Sequence, residues 1–388
     1  MRTCGRLRTA LPVAATLVLV SCGAPDASPN ARSRLSLVET LAGADTVGYA
    51  RAFEPRTFDF PADHGPHPDF RTEWWYVTGN LESEAGRDFG FQFTIFRNAL
   101  APDASASPSA WSTRQAYMGH FTVTDVQDGR FHAFERFARG AAGLAGAEAP
   151  PLRVWLEDWA LEAEGATTFP LRLRAEEDDV ALSLELSRGK PAVQQGDRGL
   201  SQKGPEPGNA SYYYSQTRMP ASGTLVVEAD TFAVRGSAWL DREWSTSALS
   251  DGQVGWDWFA LQLDDGWDLM VYRLRRADGS ADPLSDGVLV DPEGRRVALG
   301  WGTDITMEST GTWTSPLDGA VYPSGWRIAV PARGWDLRVE PRIRDQELDV
   351  SFRYWEGAVS VDGVGEGGRS VDGRGYVELT GYAGGGRE

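Results

Sequence analysis

Glu73–Leu81 (EWWYVTGNL) and, after a polar turn at Ser83–Arg87, Asp88–Arg97 (DFGFQFTIFR) decide the fold. In the second run Phe89, Phe91, Phe93 and Ile95 share one side, while Gly90, Gln92 and Thr94 share the other. A period of two with aromatic and β-branched residues marks a strand, and the Gly-containing turn makes the pair a hairpin. Gln115–Asp125 repeats the alternation, with His120, Thr122 and Thr124 on one face. Similar short runs recur from Leu152–Trp159 to Tyr376–Tyr382, and no segment sustains helical spacing. The expected class is all-β, built as barrels or sandwiches.

The two halves echo each other. Trp258-Phe259 opens a strand, Asp264-Asp265-Gly266 turns it, and the partner ends in Tyr272-Arg273, much as Trp75-Tyr76 leads to Phe96-Arg97. A duplicated unit of roughly 160 residues is the length of one eight-stranded barrel. The boundary is expected near Ala221, giving domains 51–220 and 221–388, with Lys190–Asn209 as a long loop late in the first.

The N-terminus carries Arg2, Arg6 and Arg8 and then an apolar run, Ala10–Val20, too short to span a bilayer as a helix. It ends in Leu19-Val20-Ser21-Cys22, the pattern at which an export signal is cut and the cysteine acylated. Residues 1–22 read as a lipoprotein signal and 23–50 as a flexible tether, rich in Ala, Ser and Pro. The membrane is then a partner through Cys22, and the cell envelope, facing the periplasm from the outer membrane, is the expected location. Cys4 leaves with the signal, so no disulfide or cysteine metal site is expected in the remainder. The net charge of −17 argues against nucleic acid as a partner. Fifteen tryptophans suit cores and hydrophobic pockets.

Several motifs carry chemistry. Asp63-His64-Gly65-Pro66-His67 sets two histidines three apart. With His120 they can be metal ligands, acid–base groups at a pocket mouth, or loop caps; Pro66 favours a turn, and no metal is assigned. Alternation puts Trp74 and Tyr76 on one face and Glu73 and Trp75 on the other. Asp241-Arg242-Glu243-Trp244 is the leading catalytic candidate, because three consecutive ionisable groups beside Trp239 are costly to bury unless paired. A carboxyl in an apolar pocket has a raised pKa and can protonate an alkene; a structural ion-pair network is the other reading. Asp257 stands between Trp256 and Trp258 and is catalytic if it faces a lumen. Tyr354, Glu356, Tyr376 and Glu378 read as closing-strand structure. There is no GxSxG, no HExxH, and no helix after Gly363–Gly368, so serine hydrolysis and nucleotide use are not expected.

FPADHGPHPDFRTEWWYVTGNL (Phe60–Leu81), FGFQFTIFR (Phe89–Arg97), GSAWLDREWSTSAL (Gly236–Leu249), GWDWFALQLDDG (Gly255–Gly266), YWEGAV (Tyr354–Val359) and GYVELTGY (Gly375–Tyr382) together resemble the AttH-like family, which includes carotenoid 1,2-hydratase. The resemblance implies two tandem lipocalin-like (calycin) barrels, with a first-strand Trp covered by an Arg as a structural plug. It also implies action on hydrophobic, unsaturated molecules, without a cofactor. Family members often carry His where Arg242 stands, and Arg cannot serve as a general base. The expected function is binding of a lipid- or isoprenoid-like molecule. The alternatives are a hydratase or isomerase using Asp241, Glu243 or Asp257, and a structural lipoprotein. The expected ligand contacts are His64, His67, Glu73, Trp74, Tyr76, Gln92, His120, Arg242, Trp244, Trp256 and Trp258.

Overall fold

The computed structural model describes Met1 and residues 46–103, 109–165, 167–246 and 249–383. The signal, Cys22 and most of the tether expected from the sequence lie outside the described residues. The first sheet holds β1 (Thr72–Ser83), β2 (Asp88–Ala99), β3 (Gln115–Asp125), β4 (Arg130–Arg139), β5 (Ala145–Glu148), β6 (Arg153–Leu156), β7 (Trp159–Ala163), β8 (Leu171–Glu177), β9 (Val180–Leu186), β10 (Val193–Gln194), β11 (Leu200–Gln202), β12 (Ala210–Val227) and β13 (Asp230–Ser245). The second holds β14 (Gln253–Leu263), β15 (Asp268–Arg276), β16 (Asp286–Val290), β17 (Arg296–Gly300) and β18 (Thr306–Ser309). A separate ribbon, β19 (Thr312–Thr314) with β20 (Val321–Pro323), follows. The second sheet then continues through β21 (Trp326–Val330), β22 (Trp335–Pro341), β23 (Glu347–Asp349), β24 (Arg353–Val364) and β25 (Ser370–Leu379).

In each sheet the first strand pairs with both its successor and the last strand: β1 lies between β2 and β13, and β14 between β15 and β25. That return bends each sheet into a barrel-like form, so the chain is a tandem of lipocalin-like barrels. The division expected near Ala221 is corrected. Ala221 lies inside β12, which pairs with β13 in the first sheet, and the change of sheet comes between Ser245 and Gln253. Turn composition misled here, because Pro220 and Gly223 sit within one long, bulged strand rather than a linker.

Alternation sorts the side chains into three layers. Trp75, Val77, Phe91, Phe93, Ile95, Phe121, Val123 and Leu240 fill the first barrel. Phe259, Leu261, Val271, Trp326, Trp355 and Val377 fill the second. The opposite faces of β1, β13, β14 and β25 do not meet solvent; they meet each other, as Tyr76, Trp239, Trp258, Ala260 and Tyr376 join one buried cluster drawn from both barrels. The barrels approach closely at Gly90, where an added Cβ would stand 2.5 Å from the Cβ of Ala358. Gly90→Val is therefore expected to wedge the barrels apart and cost about 1–3 kcal/mol, read as a lower urea midpoint.

Candidate active site between the barrels

Each barrel has its own apolar core, and the cavity lies in the middle layer between them. Its space for water centres is about 110 Å³, against the ~10–15 Å³ one water needs. The first barrel contributes Trp74, Tyr76, Phe96, Tyr213, Asp241 and Glu243. The second contributes Trp256, Trp258, Tyr272, Leu274, Tyr354 and Glu378, and Lys203 reaches in from the long loop. Register explains the grouping. Trp74 faces Glu243 and Tyr76 faces Asp241 across β1 and β13, while Glu243 faces Tyr213 and Asp241 faces Ser215 across β13 and β12. In the other barrel Glu378 on β25 lies between Trp258 on β14 and Glu356 on β24.

Asp241 is 3% exposed. Its carboxyl accepts hydrogen bonds from Tyr213 Oη (2.5 Å), Ser215 Oγ (2.5 Å) and Trp239 Nε1 (2.7 Å). Trp258 Nε1 in turn donates to the Tyr213 oxygen at 3.1 Å. Burial pushes Asp241 up to about 7, against the pull of these three donors. Glu378 is pushed higher, to about 8, first by burial and then by the charges of Asp241 and Glu243, with Trp256 as the donor opposing it. Behind them Glu356, fully buried, accepts from the Tyr76 hydroxyl and is raised well above the carboxylate range by burial and by Glu378. Glu243 differs: Lys203 Nζ stands 3.1 Å away and Ser211 donates to it. Burial works against the Lys203 charge, but the Glu243 carboxylate outweighs it and raises the lysine.

These environments set a pH dependence of stability. A carboxyl raised in the folded state loses stability as pH climbs from its unfolded value, about 4, through its folded value. Asp241 and Glu378 therefore weaken the fold progressively up to about pH 7 and 8. Glu73 acts in the opposite sense. Burial would raise it, but Arg242 and Arg97 hold it far below the usual range, so its contribution is lost as pH falls below about 4. Urea unfolding is expected to show greatest stability in mildly acidic buffer. The Asp241→Asn/Glu378→Gln pair should flatten the alkaline decline and leave the acid side unchanged.

Of the predicted site residues, Asp241, Glu243, Trp74, Tyr76, Trp256 and Trp258 line the cavity. His120 stands one layer behind, its Nδ1 2.7 Å from the Tyr354 hydroxyl. Gln92, on the same buried face, bonds Thr94 instead of reaching the cavity. The others are corrections. Asp257 faces the interior of the second barrel and is neutralised by Arg273 Nε and Arg275 Nε, each at 3.0 Å, with Tyr382 Oη at 2.9 Å. Arg242 lies with its guanidinium carbon 3.8 Å from the centre of the Trp75 ring, bonded to Glu73 and to the carbonyls of His64, Gly65 and Trp74. It covers the first-strand tryptophan in the place of the plug, which is Trp75 and not Trp74. Glu73 binds Arg97 and Arg242, His67 stacks on Trp244 at 3.7 Å, and His64 bonds Tyr214 at 2.6 Å. Burial, then the charge of Arg242, pushes His64 down to about 4. Glu73, His64, His67 and Trp244 thus serve the plug network rather than the cavity. Among the described residues no cluster of potential ligands fits a metal.

Glu378, Tyr354, Tyr213 and Lys203 are among the cavity residues missing from the sequence-based site. Glu378 and Tyr354 are there by the same alternation that sends Val377 and Trp355 inward. The missing fact was that the outer faces of the two barrels are apposed.

Two barrels, each with its own core, and an acid-bearing aromatic cavity between them define a double lipocalin-like protein with its candidate site at the barrel junction. The chain belongs to the AttH-like family, whose model matches residues 51–382. An AttH-like protein from Nitrosomonas europaea is 36% identical, with a TM-score of 0.76 over 86% of this chain and 99% of that one. Kievitone hydratase from Nectria haematococca is 14% identical, with a TM-score of 0.66 over 87% of this chain and 97% of that one. CghA, also 14% identical, has a TM-score of 0.53 over 91% of this chain and 98% of that one. At such identity the last two share the fold. A search of curated proteins gave no match.

Proposed function

We propose that this protein is a lyase of the hydratase type, moving a proton on an unsaturated, largely apolar substrate held between the barrels. The observation that carries the reading is the pair Asp241 and Glu378, one from each barrel, set in an aromatic wall with carboxyl pKa values raised to about 7 and 8. Two carboxyls whose surroundings separate their titrations are suited to opposite roles. Glu378, the weaker acid of the two, carries the proton. It donates to one alkene carbon as the π electrons form the new C–H bond. The faces of Trp256, Trp258 and Trp74 stabilise the positive charge left on the adjacent carbon. Asp241, whose three donors favour its ionised form, takes a proton from the water that adds there. The reverse sequence is dehydration. A solved relative of the same fold bears the name of a hydratase, and that chemistry agrees with this reading.

The test is incubation with an extract of host lipids in oxygen-18 water. The intact protein is expected to yield a product carrying one oxygen-18, and its absence would oppose the reading.

Retention of an apolar molecule without turnover is the second reading, favoured by the number of aromatic side chains in the cavity wall. Either way, acylation at Cys22 would tether the protein to the envelope membrane, within reach of lipid- or isoprenoid-like ligands. Native mass spectrometry after purification from the host, with a co-purifying apolar molecule expected, tests retention.

A further inference from the structure

Behind the cavity a carboxylate, an imidazole and a phenol stand in line. Tyr354, on β24 of the second barrel, lines the cavity. Its hydroxyl lies 2.7 Å from His120 Nδ1, on β3 of the first barrel. His120 Nε2 lies 3.2 Å from Glu135 Oε1, on β4. Ser351 N–H holds the other Glu135 oxygen at 3.1 Å. His120 is fully buried between the rings of Phe96 and Phe352, while Glu135 keeps 10% of its side-chain surface open to solvent. The line therefore joins the cavity to the protein surface.

The proton positions follow from the acceptors. Burial would raise Glu135, but its bonds from His120 and Ser351 outweigh that and leave it ionised. An ionised carboxylate requires a donor, so His120 carries its proton on Nε2. Nδ1 is then an acceptor, and the Tyr354 O–H donates to it. Burial, with Glu356 and Glu378 nearby, keeps Tyr354 a phenol and not a resident phenolate. Its proton leaves only as His120 accepts it.

We infer that Tyr354 is a third proton-transfer group of the cavity, exchanging its hydroxyl proton with His120 while Glu135 orients the imidazole and connects it to solvent. Tyr354 is the candidate catalytic residue of the three; His120 and Glu135 are positioning residues that act through it. In the proposed lyase cycle Glu378 ends one proton short and Asp241 one proton over, and this line is a route by which the two reset through exchange with solvent. The inference rests on the cavity being the active site, but the test does not depend on turnover.

The test uses benzenesulfonyl fluoride, a small aryl electrophile, with peptide mass spectrometry to locate the adduct. The phenol oxygen attacks sulfur, the S–O bond forms, fluoride leaves, and His120 Nδ1 takes the phenol proton. Tyr354 is expected to be labelled faster than Tyr272, whose hydroxyl bonds that of Ser201 at 3.2 Å and whose ring has Lys203 Nζ 4.5 Å from its centre rather than an imidazole. His120→Gln keeps an acceptor for the phenol but no base, so labelling should fall about tenfold or more with the melting temperature held. Glu135→Gln, at the more exposed end, should also slow it, and decides the matter if His120→Gln fails to fold. Labelling of Tyr354 that is no faster than that of Tyr272, or is unchanged in these variants, would overturn the inference. Failure of oxygen-18 incorporation beside base-dependent labelling would remove the lyase reading and leave the relay standing.

Discussion

Arg242→Leu is expected to lower the free energy of unfolding by about 3–5 kcal/mol, the cost of removing one partner from a buried ion pair. The side chain is fully buried, and so is the carboxylate of Glu73 that it holds. Its guanidinium also covers Trp75 and satisfies the carbonyls of His64, Gly65 and Trp74. Leucine supplies the volume but none of the donors. Glu73 would keep Arg97 and the backbone N–H of His67, too few partners for a charge taken wholly out of water. Urea denaturation near neutral pH measures the loss. Adding Glu73→Gln removes the unpaired charge and should recover part of it. An Arg242→Leu protein as stable as the parent would mean that Arg242 does not hold the Trp75 plug in place.

Glu378→Gln and Asp241→Asn are each expected to reduce oxygen-18 incorporation by about 10²–10⁴-fold, the usual worth of a positioned general acid or base. Both substitutions keep shape and hydrogen-bonding capacity. Asparagine at 241 still accepts from some of Tyr213, Ser215 and Trp239. Both also remove a carboxyl that burial penalises when ionised, so stability should hold or rise at alkaline pH. Activity lost with the fold retained separates a chemical role from a structural one. Lys203→Met should weaken activity less, because the lysine serves Glu243 and neither proton-carrying carboxyl. The rate should follow a bell between about pH 7 and 8, with Asp241 ionised and Glu378 protonated. Full turnover by both carboxyl variants would contradict the assignment.

The barrels were legible because Phe89, Phe91, Phe93 and Ile95 state their period plainly. The sharing of faces by Trp74 with Tyr76, and of Asp241 with Glu243, was legible for the same reason. What alternation cannot give is direction. A face carrying Trp, Tyr, Asp and Glu reads equally as a lumen or as an outer surface, and here it is an outer surface covered by a second barrel. Asp257 and Arg242 were misread for one reason: each has the core-facing parity of its strand, with Phe259 and with Leu240, so each points into a packed core and must be paired there. Glu378 and Tyr354 were set aside because no local motif distinguishes a cavity wall from a closing strand. Only long-range pairing brings β25 and β24 opposite β1 and β13. The export signal and Cys22 lie outside the described residues, and anchoring stays a proposal.

The central claim is that Asp241 and Glu378 are buried acids sharing a cavity between the barrels. Carbon-13 NMR of the side-chain carboxyls tests it without a substrate, with Asp241→Asn and Glu378→Gln assigning the two signals. The predicted result is titration near 7 for Asp241 and near 8 for Glu378, with the Glu378 midpoint falling when Asp241 is replaced by asparagine. Titration of both near 4, as for solvated carboxyls, would contradict the account.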